Sequence, residues 1–156
     1  MSATNAAMVM AIGTAYAEIY VAENSAAQSV PTGSTYAKIT AFSTNGAIRG
    51  CTADAANDRI VIVKPGKYQV LASFATKLGT TDVVWDTAVF VNDAEQTNVH
   101  MRRRFSTAGY TFSVYFGGIV SLNAGDVVDI RSKHNNGSAV TATVEYANLN
   151  VIRIGA

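Results

Sequence analysis

The sequence predicts an all-β fold, an antiparallel β-sandwich or jelly roll, from the spacing of its apolar residues. About ten short runs rich in β-branched and aromatic residues are separated by Gly, Asn, Asp and Ser, a pattern typical of strands joined by turns. No stretch of useful length has the 3.6-residue apolar period of a helix. No unit recurs at a fixed spacing that would indicate a solenoid or a propeller.

The segment 60–76 is the one around which the other elements are arranged. Its β-branched run 60–63 predicts a buried strand, and the Pro-Gly pair at 65–66 ends that strand with a corner. The residues that follow alternate, and the apolar face of this second strand carries Tyr68, Val70, Ala72 and Phe74. Leu71 on the other face indicates that this side is covered too. Segment 119–130 likewise predicts two apolar strands, which are joined by a tight turn at 123–126.

The remaining strands follow in order along the chain. They are predicted at residues 16–21, 28–30, 36–42, 47–51, 83–92, 96–105, 110–122, 127–132 and 140–154. Turns or loops are predicted at residues 43–46, 52–58, 78–82, 92–93, 106–109 and 134–138, where residues that accept positive φ cluster. In the last strand, Val140, Ala142, Val144 and Tyr146 are expected to share one face.

A low content of charged residues is the main compositional signal. The chain is 49% hydrophobic and 15% charged, whereas ordinary globular chains are about 25% charged. We therefore expect apolar surface to be buried between subunits. The formal net charge of +1 gives no general attraction to nucleic acid or to a membrane.

The length of 156 residues indicates one domain, at residues 15–156, preceded by an N-terminal arm of residues 1–14. The arm contains apolar residues that either contact a neighbouring protein or belong to a disordered tail: Met8, Val9, Met10 and Ile12. No positively charged region precedes its apolar run, so we expect neither a signal peptide nor a membrane span. The single cysteine, Cys51, rules out an intrachain disulfide and is expected to be a buried free thiol.

The only cluster of like charges is Arg102, Arg103 and Arg104. On a strand, Arg102 and Arg104 share a face and Arg103 points the other way. One interpretation is a docking patch for an acidic partner, because the guanidinium fork binds carboxylates bidentately. The other is a solvated strand, or ion pairs with acidic residues between subunits.

The sequence contains no catalytic or metal-binding motif. His100 and His134 lack partners at zinc-ligand spacing, and no Asp-x-Asp-x-Asp loop organises Asp82, Asp86, Asp93, Asp126 and Asp129 for calcium. No Gly-x-Ser-x-Gly elbow or phosphate-binding loop is present. We expect no enzymatic activity and no cofactor. Trp85, Tyr110 and Tyr115 are either a platform for a sugar or ordinary core and interface aromatics.

Several of these segments together resemble the C1q/TNF-like jelly-roll superfamily. The resemblance covers residues 16–154 and is carried by the first strand, by the Pro-Gly-Lys-Tyr corner at 65–68, by Phe-Val-Asn at 90–92, by Leu-Asn-Ala-Gly-Asp-Val-Val at 122–128 and by the last strand. It implies a homotrimer. It also implies that a set of apolar residues is divided between the sandwich core and the trimer core: Tyr68, Phe112, Phe116, Val128, Tyr146 and Leu149.

Within that superfamily the chain resembles bacteriophage capsid decoration (cement) and head-fibre proteins, because it has neither a collagen stalk nor a secretion signal. This resemblance implies a non-enzymatic structural virion protein at the capsid surface, with the major capsid protein as its partner. The alternative is a receptor- or glycan-binding module of a phage fibre or of a bacterial surface trimer, acting through loops near Trp85 or the arginine cluster.

Overall fold

The structure is a computed structural model that describes residues 15–31, 33 and 35–156, and these residues form two antiparallel sheets packed face to face. Their strands are β1 (Tyr16–Val21), β2 (Ala27–Val30), β3 (Ala37–Lys38), β4 (Thr44–Arg49), β5 (Cys51–Asp54), β6 (Arg59–Ile62), β7 (Gly66–Leu78), β8 (Val83–Val91), β9 (Ala94–Phe105), β10 (Thr111–Leu122), β11 (Val127–His134) and β12 (Val140–Gly155). A 3-10 turn at Ala55–Asn57 is the only helical element in these residues. The predicted all-β sandwich is confirmed.

Sheet A has the strand order β10-β7-β12-β1-β4, with β2 paired to β12. Sheet B has the order β5-β6-β11-β8-β9, with β3 paired to β11. The chain passes from one sheet to the other at the predicted corner at 65–66. Gly66 has a φ of 153°, and a Cβ there would lie 2.4 Å from the carbonyl oxygen of Gly155. This corner therefore requires glycine.

The core lies between the sheets and confirms the apolar alternation predicted for β7. Tyr68, Val70, Ala72 and Phe74 are buried, and the Phe74 ring meets Phe116 edge to face at 6.2 Å. Cys51 is a buried free thiol, as expected. A second, smaller cluster at one end of the sandwich contains Trp85, Phe105, Leu78, Val30, Val83, Val140 and Ala142.

Three predictions near the N-terminal half of the domain are wrong. Asn45 and Gly46 lie inside strand β4 and do not form a turn. Residues 52–54 of the predicted loop 52–58 belong to strand β5, and residues 55–57 form the 3-10 turn. The predicted strand 36–42 shortens to Ala37–Lys38, because the amide of Gln28 donates to the Lys38 carbonyl and accepts from the Thr40 nitrogen in place of a neighbouring strand.

The predicted turn at 134–138 connects β11 in sheet B to β12 in sheet A, so its Asn-Gly pair at 136–137 does not form the hairpin turn that such a pair usually indicates. The hairpin in this half of the chain joins β8 to β9 at Asn92 and Asp93, which have φ values of 49° and 67°. Positive φ at both positions is what a tight hairpin turn needs, so the prediction of a turn at 92–93 is confirmed.

Tyr146 does not share a face with Val140, Ala142 and Val144. The ladder between β12 and β7 shifts register between Val144 and Tyr146, so Glu145 is an extra residue. This β-bulge turns Tyr146 outward, where its side chain is 49% exposed, while the other three stay buried.

Candidate functional site

The outer face of sheet A is unusually apolar for a surface. It is built by alternate residues of four neighbouring strands, because the inward residues of the same strands fill the core. We call it the tyrosine face and define it by Tyr16, Glu18, Tyr20, Leu71, Ser73, Ala75, Tyr115, Ile119, Tyr146, Asn148, Asn150 and Ile152. Its most exposed large side chains are Tyr115 (69%), Ile119 (56%) and Tyr146 (49%).

Two shallow recesses lie on this face. The larger, of about 880 Å³, is surrounded by Tyr20, Tyr115 and Tyr146 and has the small residues Ser73 and Ala75 among its lining. The smaller, of about 370 Å³, is lined mainly by Tyr16, Leu71 and Ile152. Large rings around small residues give the face relief, which a partner surface of complementary shape can fill.

Three polar side chains cross the middle of the tyrosine face, and we call them the polar ladder. The Asn150 Nδ2 donates to Asn148 Oδ1 at 2.8 Å, and Asn148 Nδ2 donates to Glu18 Oε1. Glu18 lines both recesses, so it stands between them. The Oδ1 of Asn150 is buried and has no hydrogen-bond partner.

Two glycines allow the tyrosine face to pack closely. A Cβ on Gly46 would lie 2.3 Å from Glu18 Oε2, and a Cβ on Gly117 would lie 2.5 Å from Leu71 Cδ2 and 2.7 Å from the Val70 carbonyl oxygen. The Asn-Gly pair at 45–46 therefore reflects a close side-chain approach inside a strand. Sequence reasoning missed this, because the same pair is also a strong turn signal.

The outer face of sheet B has the opposite character, because charged residues there pair with one another. Arg102 binds Asp86 through Nε at 2.6 Å and Nη2 at 3.0 Å, and His100 Nε2 lies 3.3 Å from the same carboxylate. Burial opposes the ionisation of Asp86, but the hydrogen bonds and charge of Arg102 outweigh it and lower the pKa of this carboxyl group. The Asp86 charge is thus matched within the chain.

A second set of paired charges surrounds Asp129, which is buried. Arg131 binds Asp129 at 2.8 and 2.9 Å and also contacts Asp93, and its guanidinium lies 4.6 Å from the centre of the Phe90 ring. Lys38 lies 3.7 Å from the same Asp129. The two carboxylates hold the pKa of Arg131 above its usual value.

The three arginines of the predicted docking patch each have a partner within the chain. Arg102 pairs with Asp86, and Arg104 pairs with Asp82 at 2.6 Å. Arg103 lies 5.0 Å over the Phe112 ring and donates to the Ser113 carbonyl. The docking role stays a prediction, and it would require these cations to exchange partners.

The residues expected to be divided between the sandwich core and the trimer core separate clearly. Tyr68, Phe116, Val128 and Leu149 are buried between the sheets, and Phe112 packs against the smaller core cluster. Tyr146 alone of the six lies on the tyrosine face. Met8, Val9, Met10 and Ile12 lie outside the described residues.

Trp85 is not available as part of a surface sugar platform. It is 1% exposed, its indole nitrogen donates to Thr87 Oγ1 at 3.0 Å, and its ring stacks on His134. Tyr110 and Tyr115 are exposed.

Among the described residues, no three His, Cys, Asp or Glu side chains are grouped closely enough to hold a metal ion. Of the carboxylates considered for calcium, Asp93 and Asp129 share Arg131, and Asp126 accepts from the Asn92 amide and the Asn123 backbone nitrogen. In the same part of the chain, no helix has the length and apolar character needed to cross a bilayer.

Comparison of the whole chain with known proteins defines the fold. No protein-family model matches the sequence, and no curated protein sequence matches it. Solved structures do match. Eiger TNF from S. frugiperda has a TM-score of 0.63 at 11% identity, over 90% of this chain and 94% of that one.

Two further structures agree. The globular domain of zebrafish complement 1qA has a TM-score of 0.60 at 15% identity, over 90% of this chain and 97% of that one. Murine APRIL has a TM-score of 0.57 at 12% identity, over 89% and 99%. The chain therefore has the C1q/TNF-like jelly-roll fold, which confirms the predicted architecture. At these identities the likeness concerns the fold alone.

Proposed function

We propose that this protein is a non-enzymatic structural module that assembles as a homotrimer through its tyrosine face. The supporting observation is the contrast between the two outer faces. Sheet B presents charges that are already paired, whereas sheet A presents exposed tyrosines and isoleucines around the polar ladder. A contiguous apolar face of this kind marks an interaction site, because water solvates it poorly.

The dimensions of the tyrosine face suit an interface. Four strands about 4.8 Å apart, each contributing about eight residues at about 3.3 Å per residue, cover roughly 500 Å² of flat area, to which the raised side chains add. A stable interface buries about 800 Å² on each partner, so this face with its rim has the required size. The jelly-roll fold shared with the C1q and TNF structures supports a trimer as the assembly.

The test is the mass of the purified protein by light scattering, together with a matched pair of variants. We expect a mass three times that of the 16.4 kDa chain. Tyr115→Lys places a charge on the tyrosine face and should yield monomers. Tyr110→Lys is the control, because Tyr110 is 66% exposed but precedes strand β10. A monomeric wild-type protein, or dissociation by both variants alike, would contradict the proposed trimer.

The biological role that we propose for the trimer is decoration and stabilisation of a bacteriophage capsid. Support comes from the low charge content, from a fold that needs no disulfide and from the apolar residues of the arm. Three arms on one trimer raise the effective concentration of each capsid contact, so weak single contacts can sum to firm attachment.

Two measurements test the decoration role. Mass spectrometry should detect this chain in purified phage particles whose genome encodes it. Deletion of residues 1–14 should leave a trimer that no longer co-sediments with the same particles. Absence from the particles would exclude the role, and full co-sedimentation of the deletion variant would exclude the arm as the docking element.

A receptor- or glycan-binding role is the second candidate, supported by the tyrosines and amides of the larger recess. The burial of Trp85 removes one of the residues on which this alternative was based. Two results together would favour this role over the trimer. The wild-type protein would be monomeric and bind to a glycan array, and Tyr115→Lys would abolish that binding.

A further inference from the structure

Positive charges without a partner gather at one end of the sandwich. The chain has twelve lysines and arginines. In three of them the side chain makes no ion pair, hydrogen bond or ring contact with a described residue: Arg49, Lys64 and Lys67. All three are exposed. Each of the others is engaged by a carboxylate, an aromatic ring or a backbone carbonyl.

The strand register places these three cations at the same end of sheet A. Arg49 ends β4 beside the first residue of β1, and Lys67 at the start of β7 pairs with Gly155 at the end of β12. Lys64 lies in the corner between β6 and β7. Its Cδ is 3.3 Å from the position of a Cβ on Gly50, the residue after Arg49. Residues 1–14 join the domain at this same end, directly before β1.

Exposed aliphatic side chains lie among the cations. Ile48, Val63 and Ile154 are 52%, 52% and 51% exposed. They directly precede Arg49, Lys64 and the ladder partner of Lys67. We call this surface the basic end and define it by Ile48, Arg49, Val63, Lys64, Lys67 and Ile154. None of the six belongs to the tyrosine face, which the proposed trimer covers.

The chain does not supply the opposite charge for the basic end. Glu18 lies diagonal to Arg49 on sheet A but forms no ion pair with it. Asp93 and Asp126, at the same end of sheet B, accept hydrogen bonds from other side chains. Residues 1–14 contain no Asp or Glu. The opposite charge therefore has to come from a partner.

We infer that the basic end is the surface through which the protein docks on an acidic surface of the capsid protein. The inference rests on the proposed capsid role and adds which end of the trimer docks. Complementary charge favours carboxylates as the groups that meet the cations. The aliphatic side chains between the cations favour a protein surface, which offers apolar contacts as well as charge. The six residues include no aromatic ring on which the bases of a nucleic acid could stack.

Threefold symmetry multiplies this contact. A rotation leaves every atom at its height along the axis, so a trimer presents its three basic ends, with the arms attached to them, at one level. Single ion pairs at a surface are weak. Three cations on each of three copies form many such pairs at once, and the arms add their contacts at the same level.

Lysine acetylation tests which end docks. The free protein and the protein bound to purified particles of the phage whose genome encodes it are treated briefly with acetic anhydride, and mass spectrometry quantifies each lysine. We expect Lys64 and Lys67 to lose most of their reactivity on binding. Lys77 is the internal control, because it lies on the outer side of the same strand as Lys67, about 33 Å away. Its reactivity should not change. Equal protection of Lys77, or Lys64 and Lys67 that are already unreactive in the free protein, would overturn the inference.

Removal of charge gives a second readout. Lys64→Gln/Lys67→Gln should weaken co-sedimentation with the particles by at least about tenfold, and the remaining binding should depend less on salt. Arg102→Gln/Arg104→Gln is the matched control, because it removes two cations from the arginine cluster, and it should bind as the wild type does. Light scattering should show trimers for both variants. The reverse result would place docking on the arginine cluster and overturn the inference.

The possible failures are distinguishable. A wild type that does not bind the particles would overturn the capsid role and this inference with it. Equal binding by the wild type and Lys64→Gln/Lys67→Gln would overturn only the basic end as the docking surface. Binding of the wild type to heparin, or to vesicles that contain phosphatidylserine, as tightly as to the particles would overturn the assignment of a protein partner.

Discussion

The charge of Glu18 sets the direction of the hydrogen bonds in the polar ladder. An ionised carboxylate only accepts, so Asn148 turns its amide nitrogen to Glu18 and its oxygen to Asn150. Asn150 then donates, and its own oxygen is left buried without a partner. The cost of the unsatisfied group falls on Asn150, while Asn148 holds the charged residue in place.

This asymmetry predicts opposite effects for two similar substitutions. Asn150→Leu removes the orphan acceptor and should leave the free energy of unfolding unchanged or raise it by about 1 kcal/mol. Asn148→Leu removes the donor to Glu18 and should lower it by about 1–2 kcal/mol. Urea denaturation of the two variants checks this prediction. Equal losses in the free energy of unfolding would contradict the assignment of donors and acceptors along the polar ladder.

The paired carboxylate of Asp86 predicts a pH dependence. Its pKa is lower in the folded protein than in the unfolded chain, so the unfolded state binds the proton first as the pH falls. The stabilisation is fully present above the unfolded value of about 3.9 and is lost as the pH drops through the lower folded value. The difference in urea midpoint between wild type and Asp86→Asn should shrink between pH 5 and pH 3. A constant difference would show that the pair contributes nothing through ionisation.

At the scale of elements, the β-bulge in β12 decides which residues form the tyrosine face. Glu145 is the extra residue, and on either side of it the ladder with β7 is regular. Without the bulge, Tyr146 would continue the buried face of Val140 and Val144. The extra residue therefore allows Tyr146 to face outward beside the larger recess, although it lies only two residues after the buried Val144.

Deletion within β12 tests this account. Removing Glu145 should give a regular ladder with every other side chain on its present face, at the cost of the Glu145 contacts with Lys77 and Thr111. The variant should fold with a modestly lower melting temperature. Removing Asn150 reverses the faces on one side of the deletion and should prevent folding. Equal tolerance of both deletions, judged by circular dichroism, would contradict the register argument.

The strands with clear alternation could be predicted from the sequence, because burial of one face imposes a period of two. The alternation of β7 and the positive-φ turn at Asn92 and Asp93 are examples. The pairing of strands could not be predicted, since a turn between sheets and a hairpin turn use the same residues. Gly46 shows the same limit, because its role depends on Glu18, which lies far from it in the sequence.

At the scale of the molecule, the two sheets divide the surface between them. On the outer face of sheet B, charged side chains pair with one another within the chain, whereas the outer face of sheet A is apolar. The low charge content predicted an apolar surface for contacts between subunits. It could not say which sheet carries that surface, because a shift of one residue exchanges the inner and outer faces of any strand.

If the tyrosine face is covered only in the assembly, thermal stability must depend on protein concentration. Assembly stabilises the folded chain by mass action, since unfolded chains do not assemble. For a trimer that unfolds as it dissociates, a hundredfold increase in concentration adds about 1.8 kcal/mol per chain, which for a domain of this size corresponds to roughly 4–7 °C in melting temperature. Scanning calorimetry at two concentrations measures this shift.

Tyr115→Lys should melt at a lower temperature that no longer depends on concentration, and Tyr110→Lys should behave as the wild type. A concentration-independent wild type would show that the face is stable in water without a second copy.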